Sequence, residues 1–364
     1  MIYIVSSGDT VASIAARFST SVADIARDNA LAFPYAIVPG QALLIDESDA
    51  APEIFADGFA YPFIDRAILS ATLPYLGRLA IFSYGFRPDG SLVVIDDAPL
   101  LAAARDAGVP AMLVLTSIGD DGKFSTDAVS AILRDDAARA NLVRNVTETA
   151  RSLGYAAVNS DIEYIAAADR ERYVAFIGAL AASLHAVGLT LDVSLAPKTS
   201  DDQPGLLYEG MDYAALGQLA DTLLLMTYEW GYKYSEPRAV APINLVRRVV
   251  DYAVSVIPRE KLHLGVPNYG YDWQLPWREG VPAVTIGNVE AAAIAADRGA
   301  VIEYDALAET PYFRYIAEDG TSHEVWFEDA RSIAAKLSLV REYSLGGIGV
   351  WQIMRWFPGL WLQL

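Results

Sequence analysis

Val158-Asn159-Ser160-Asp161-Ile162-Glu163-Tyr164 carries a polar or acidic side chain at every second position: Asn159, Asp161 and Glu163. Successive residues of a strand point to opposite faces, so these three share one. The strand they imply, Ala157–Ile162, sits between two helical patterns, Ala137–Leu153 and Arg170–Val187,. The same succession recurs along the chain. Further strand candidates are Gly58–Pro62, Leu79–Ser83, Ala111–Ser117, Leu189–Leu195, Thr222–Thr227, Leu262–Pro267 and Gly347–Trp351, with another helical pattern at Asn244–Ile257. Eight strand–helix units in roughly three hundred residues predict an α/β fold, the (β/α)8 TIM barrel. Polar residues at the C-terminal end of a barrel strand belong at the mouth, where active sites of this architecture sit. Two carboxylates and an amide in a half-buried row are costly unless paired or used. Spacing alone leaves two readings open, a catalytic centre and a buried hydrogen-bond network that supports the barrel.

The stretch from Asp272 to Phe327 is too long for a simple connection between the seventh strand and its helix. It contains strand-like pieces of its own, Ala300–Tyr304, Phe313–Ile316 and His323–Trp326. A small α+β insertion over about 272–327, on the active-site side, is therefore expected within a barrel domain spanning 53–364. The first 46 residues read as a separate compact unit. Ile2–Val5 is a strand; Gly8-Asp9-Thr10 turns into a helix with Val11, Ile14, Ala15 and Phe18 on one face. A second helix starts near Ser21 with Val22, Ile25 and Ala26, and Pro39-Gly40 leads into a last strand, Ala42–Ile45,. So small a core suits a binding module better than an enzyme. Residues 47–52, acidic and ending in Pro52, read as a linker,.

Composition narrows the function classes. Of 364 residues 53% are hydrophobic, enough for a sizeable core, and 46 acidic against 27 basic side chains give a formal charge of −19. That balance leaves no basic patch for nucleic acid, and it will not steer an anionic polymer toward the protein. Glycan binding would have to come from hydrogen bonds and ring stacking. With no cysteine there is no disulfide, thiolate metal site or cysteine nucleophile,. The N-terminus shows neither the positive stretch nor the apolar run of a signal peptide. Apolar runs such as Thr222–Thr227 fall far short of the ~20 residues that span a bilayer, so a soluble protein without membrane insertion is expected. His185, His263 and His323 are scattered, without an HxxxH pair or a His/carboxylate cluster, so neither metal nor cofactor is expected.

The N-terminal pattern resembles a LysM domain, through Tyr3-x-Val5, Gly8-Asp9-Thr10, Ile14-Ala15, Asn29 and Pro39-Gly40-Gln41-x-Leu43-x-Ile45. The resemblance implies a βααβ unit that binds N-acetylglucosamine-containing glycans through Gly8, Asp9 and Thr10 and the stretch from Leu31 to Ile37. Gly8-Asp9-Thr10 also reads as a turn and helix cap. Only one such repeat is present.

The remainder resembles glycoside hydrolase family 18. Asn159-x-Asp161-x-Glu163 is similar to that family's fourth-strand signature D-x-x-D-x-D-x-E, and Thr116-Ser117-Ile118-Gly119 to its third-strand S-x-G-G. Met226-Thr227-Tyr228-Glu229 is similar to its sixth-strand M-x-Y-[DE], and Trp351 lies on the last strand where the family places a tryptophan. The departures are Ala156 and Ala157 in place of the outermost Asp and glycine of the signature, Asn159 in place of its middle Asp, and Asp120 in place of a glycine. The stretches Leu225–Gly231 and His323–Arg331 resemble most closely the spore cortex-lytic N-acetylglucosaminidases of the family.

The resemblance implies retaining hydrolysis assisted by the substrate. Glu163 would protonate the leaving oxygen and later activate water. Asp161 would hold the acetamido N–H, Tyr228 would align the acetamido oxygen, and Trp351 would floor the distorted sugar unless it merely closes the core. Asn159, Met226, Glu229, Asn268, Tyr269, Tyr61 and Ser117 are further candidates for substrate binding. Tyr271, Trp230, Trp273 and Trp277 are weaker ones. With Asn159 replacing an acid, the upward push on the Glu163 pKa is expected to be smaller than in ordinary chitinases. Implied partners are peptidoglycan, of spore cortex or cell wall, and chitin-type polysaccharide. A chitinase is the alternative within the class, and a catalytically silent glycan-binding coat protein the alternative outside it. The oligomeric state stays open.

Overall fold

The computed structural model describes residues 1–45 and 54–364. The linker expected at 47–52 lies outside the described residues. The N-terminal unit runs β1 (Ile2–Ile4), α1 (Val11–Phe18), α2 (Val22–Asp28) and β2 (Ala42–Leu44). β1 and β2 pair antiparallel, Ile2 opposite Leu44. Thr10 starts α1 with a capping box: its hydroxyl accepts from Ser13 N–H, and Ser13 Oγ accepts from Thr10 N–H,. Val5, Val11, Ile14, Ala15, Ile25, Leu43 and Ile45 form the core. Asn29 staples α2 to β2, its amide donating to Leu44 O at 2.8 Å while its oxygen accepts from Leu44 N–H at 2.7 Å.

The rest follows the order β3 (Ala56–Ala60), α3 (Arg66–Thr72), β4 (Arg78–Phe86), β5 (Leu92–Val93), α4 (Ala98–Ala107), β6 (Ala111–Thr116), α5 (Thr126–Arg134), α6 (Asp136–Leu153), β7 (Ala157–Asp161), α7 (Arg170–His185), β8 (Thr190–Leu195), α8 (Tyr213–Leu219), β9 (Thr222–Leu225), α9 (Ile243–Val256) and β10 (Leu262–Pro267). After β10 come β11 (Gly270–Leu275), β12 (Val284–Ile286), α10 (Asn288–Arg298), β13 (Glu303–Asp305), β14 (Thr310–Ile316) and β15 (Ser322–Trp326). The chain ends with α11 (Ala330–Tyr343), β16 (Gly347–Trp351) and α12 (Pro358–Trp361). Parallel strands β3, β4, β6, β7, β8, β9, β10 and β16 close on one another through the β16–β3 and β3–β4 pairs, giving the (β/α)8 barrel,.

Alternation along β7 places its side chains as the sequence implies. Ala157 joins Phe59, Ala80, Phe82, Met112, Val114 and Leu224 inside the barrel, whereas Val158 and Ile162 face the helix layer. The ends differ from expectation by up to three residues, the most at β4, which runs on to Phe86 rather than stopping at Ser83. β3 stops at Ala60, two residues before Pro62, which could not donate to the ladder. β9 stops at Leu225, after which the Thr227 hydroxyl donates to Gly265 O at 2.8 Å.

β12, β11, β15, β14 and β13 form one sheet, which is the insertion, and it begins at Gly270 rather than near 272. Helix α10 is not marked by the sequence pattern, because its alanine-rich run offers little contrast between faces,.

The histidines have partners that the sequence does not show. Each is paired with an aspartate remote in the chain: His185 Nε2 with Asp221 at 2.8 Å, His263 Nδ1 with Asp57 at 2.7 Å and His323 Nδ1 with Asp272 at 2.8 Å. Asp57 belongs to a network at the N-terminal ends of the strands, the barrel floor. There Arg78 Nε donates to Asp57 at 2.7 Å, and Arg78 Nη1 donates to Asp192 at 3.1 Å. Both carboxylates are almost wholly buried. Arg78→Met is therefore expected to destabilise the protein by roughly 3–5 kcal/mol, because it strands the buried Asp192 without its counter-ion and leaves Asp57 only its His263 partner,. Chemical denaturation would show this as a fall in midpoint at constant m-value.

The N-terminal unit is seated on the barrel. Val38 enters the core of the insertion beside Ile302, Phe313 and Phe327. Ile302 N–H donates to Pro39 O at 3.0 Å, and Arg331 Nη2 donates to Gly40 O at 3.0 Å. Gly40 has φ +84, and a Cβ there would lie 1.8 Å from Ile302 O. Only glycine permits both that backbone angle and that approach. Val38→Asp is expected to undock the unit instead of unfolding either part, since undocking spares the buried charge. Small-angle scattering should then report a larger radius of gyration at an unchanged barrel melting temperature; an unchanged radius would show that this contact does not hold the unit.

Candidate active site

Asp161 is the last residue of β7, and Glu163 follows two residues on, just before Tyr164 with its left-handed backbone (φ 56). Met226, Tyr228 and Glu229 leave the end of β9, Glu229 also with positive φ (66). Trp351 closes β16 and Tyr61 follows β3. All of these surround one cleft of about 780 Å³ at the C-terminal mouth, within the usual size of ligand sites. Phe82, Tyr208, Trp230 and Tyr232 complete its walls. Trp351 is wedged between Phe82, with ring centroids 4.8 Å apart, and Tyr61, at 6.0 Å.

The electrostatics follow from burial. Removal from water pushes the Glu163 carboxyl up to about 8, reinforced by the charges of Asp161 and then Glu229,. Burial likewise raises Asp161 to about 6. Burial, with the three nearby carboxylates, holds the Tyr228 hydroxyl protonated far above its ordinary range. A second negative neighbour of Glu163, Glu229, comes from another strand. One Asp161 oxygen, Oδ1, is buried without a hydrogen-bond partner, a vacancy that a substrate N–H could fill.

Other predicted residues lie elsewhere. Asn159 sits deeper in the barrel, where its oxygen accepts from Ser194 Oγ at 3.2 Å and its amide nitrogen has no partner. Ser117 is buried and does not line the cleft. The Asn268 amide is spent on the carbonyls of Gln352 and Arg355, at 3.1 and 2.9 Å. Tyr269 is buried too, and its hydroxyl donates to Glu229. Trp273 is a core residue of the insertion, donating to Ser235 O at 2.8 Å, and Trp277 packs in the same cluster. Tyr208 and Tyr232 were beyond sequence reasoning, because they come from loops whose course no periodicity reports. In the N-terminal unit Gly8 and Thr10 are exposed. Asp9 is engaged internally, accepting from Tyr3 Oη at 2.7 Å and Ser6 N–H at 2.8 Å. Leu31 and Ile37 are partly packed on its core, whereas Phe33 between them is 84% exposed.

Among the described residues no group of three or more His, Asp or Glu could hold a metal ion, and no helix is long and apolar enough to cross a membrane. Residues 71–355 match the profile of glycosyl hydrolases family 18. The chain belongs to that family. It is therefore a glycoside hydrolase, of the retaining kind in which the substrate assists. Residues 3–46 match the LysM domain, so the family 18 enzyme carries a module for peptidoglycan- or chitin-type glycan. A cortical fragment-lytic enzyme of Bacillus subtilis is 36% identical, the match covering 100% of this chain and 97% of the relative. The crystal structure of the Bacillus cereus spore cortex-lytic enzyme SleL superposes with a TM-score of 0.93 at 32% identity, over 100% of this chain and 96% of that one. A chitinase from Chromobacterium violaceum is similar over 85% of this chain and 97% of its own, at 29% identity and a TM-score of 0.77.

Proposed function

We propose that this family 18 enzyme hydrolyses the N-acetylglucosamine-containing glycan of spore-cortex peptidoglycan, with Glu163 as general acid and base. Asp161, Glu163 and Tyr228 opening together into one cleft carry the reading. Glu163, kept protonated by burial, gives its proton to the leaving oxygen. The acetamido oxygen of the bound sugar attacks the anomeric carbon, aligned by the Tyr228 hydroxyl, while the free oxygen of Asp161 accepts the acetamido N–H and offsets the positive charge of the oxazolinium. Glu163, now a carboxylate, takes a proton from the water that opens this ring. Trp351 packs under the sugar, and Tyr61, Met226 and Glu229 line its surroundings.

Extensive likeness to cortex-lytic enzymes across both units favours cortex over chitin. Action at the spore cortex follows as part of the proposal. The chitinase reading rests on the barrel alone, where the Chromobacterium enzyme is similar. Mass spectrometry of products from purified cortex and from chitin oligomers decides between them: preferential turnover of chitin oligomers, or no turnover of cortex, would overturn the cortex assignment.

The pH profile should be bell-shaped. Glu163 must carry its proton, so kcat/KM is lost as pH rises through about 8. Asp161 must be ionised, so kcat/KM is lost as pH falls through about 6,. A rate still rising above pH 9 would contradict Glu163 as the acid.

A further inference from the structure

Among the described residues, those lining the cleft include three carboxyl groups, Asp161, Glu163 and Glu229, and no lysine, arginine or histidine. Three like charges without a counter-ion cannot all ionise cheaply, so the cleft retains a proton at working pH. Catalysis needs that proton on Glu163, yet Glu229 competes for it.

Hydrogen bonding distinguishes the two. Glu229 Oε1 accepts from the hydroxyls of both Tyr269 and Tyr271, the latter at 2.9 Å. Both tyrosines are buried, on and just before β11, the first strand of the insertion. The Glu163 side chain accepts no hydrogen bond from the described residues. Donors to a carboxylate favour its ionised form, and a carboxyl without donors in a desolvated site keeps its proton. The other polar groups lining the cleft are the hydroxyls of Tyr61, Tyr164, Tyr208, Tyr228 and Tyr232, and burial raises those of Tyr61, Tyr164 and Tyr228 above their ordinary range. Burial raises Glu229 as well, and the two tyrosine donors are what oppose that rise.

We propose that Tyr269 and Tyr271 are positioning residues which hold Glu229 as an anion and so place the cleft's retained proton on Glu163. The inference rests on the reading of Glu163 as the acid. It gives the insertion a part in the chemistry.

The test is the pH dependence of kcat on a soluble aryl chitobioside, for Tyr269→Phe/Tyr271→Phe, for Glu229→Gln and for the two combined. With its two donors gone, Glu229 should take most of the proton from Glu163, and kcat at neutral pH should fall by about tenfold while KM changes little. Glu229→Gln removes both a competitor and a charge, so the alkaline limb should move to lower pH. In that background the tyrosine changes should cost less than about twofold, because nothing remains to compete. Equal losses in both backgrounds, or an alkaline limb that Glu229→Gln leaves in place, would overturn the inference. Should the double tyrosine variant fold poorly, Tyr271→Phe alone is read in the same way. A Glu163→Gln enzyme that still turns over would instead overturn the assignment of the acid, which keeps the two failures apart.

Discussion

Glu163→Gln is expected to lower kcat by at least ~10²-fold, the low end of what a positioned acid and base contributes. The amide keeps the shape of the side chain but has no proton to give the leaving oxygen and cannot take one from water. Little else should change. Since the Glu163 carboxyl makes no hydrogen bond among the described residues, the substitution breaks no contact and should leave the melting temperature and glycan binding as they were. A variant that folds, binds glycan and turns over at near-normal rate would sink the assignment.

A substrate stripped of its N-acetyl group should be hydrolysed at least ~10³-fold more slowly, because an intramolecular nucleophile is lost. Asp161 and Glu163 leave the same strand end and so approach the sugar from one side, whereas a nucleophilic carboxylate would have to reach the opposite face of the ring. Glu229, on another strand, is the rival, but its Oε1 already accepts two tyrosine hydroxyls. A thiazoline mimic of the oxazolinium should accordingly inhibit as a transition-state-like ligand, and a fluorosugar trap should leave no covalent label. A mass increase on Glu229 or Asp161 after trapping would restore the two-carboxylate mechanism.

Much of this enzyme was legible from its primary structure. Period-two alternation at Asn159, Asp161 and Glu163 put the carboxyls on one face, and the recurrence of apolar strands between amphipathic helices implied a closed parallel barrel, the architecture that brings strand ends together at one mouth. Turn chemistry and helical spacing outlined the LysM unit. These features are local: each depends on residues within a strand or a helical turn of one another. Tertiary structure decided what sequence separation hides. Asp57 and His263 are 206 positions apart and Arg78 and Asp192 are 114 apart, yet they share the barrel floor. No periodicity links Glu229 to Tyr269 and Tyr271, or Val38 to Ile302. Asn268 and Tyr269 follow the seventh strand as site residues would, but their polar atoms are taken up by neighbours that only folding supplies. The sequence alone determined which side chains could perform the chemistry, because their type and strand register are written locally. Which of them face the cleft, what holds each in its protonation state and how the glycan-binding unit is seated depend on packing between remote segments, and only the tertiary structure decided these.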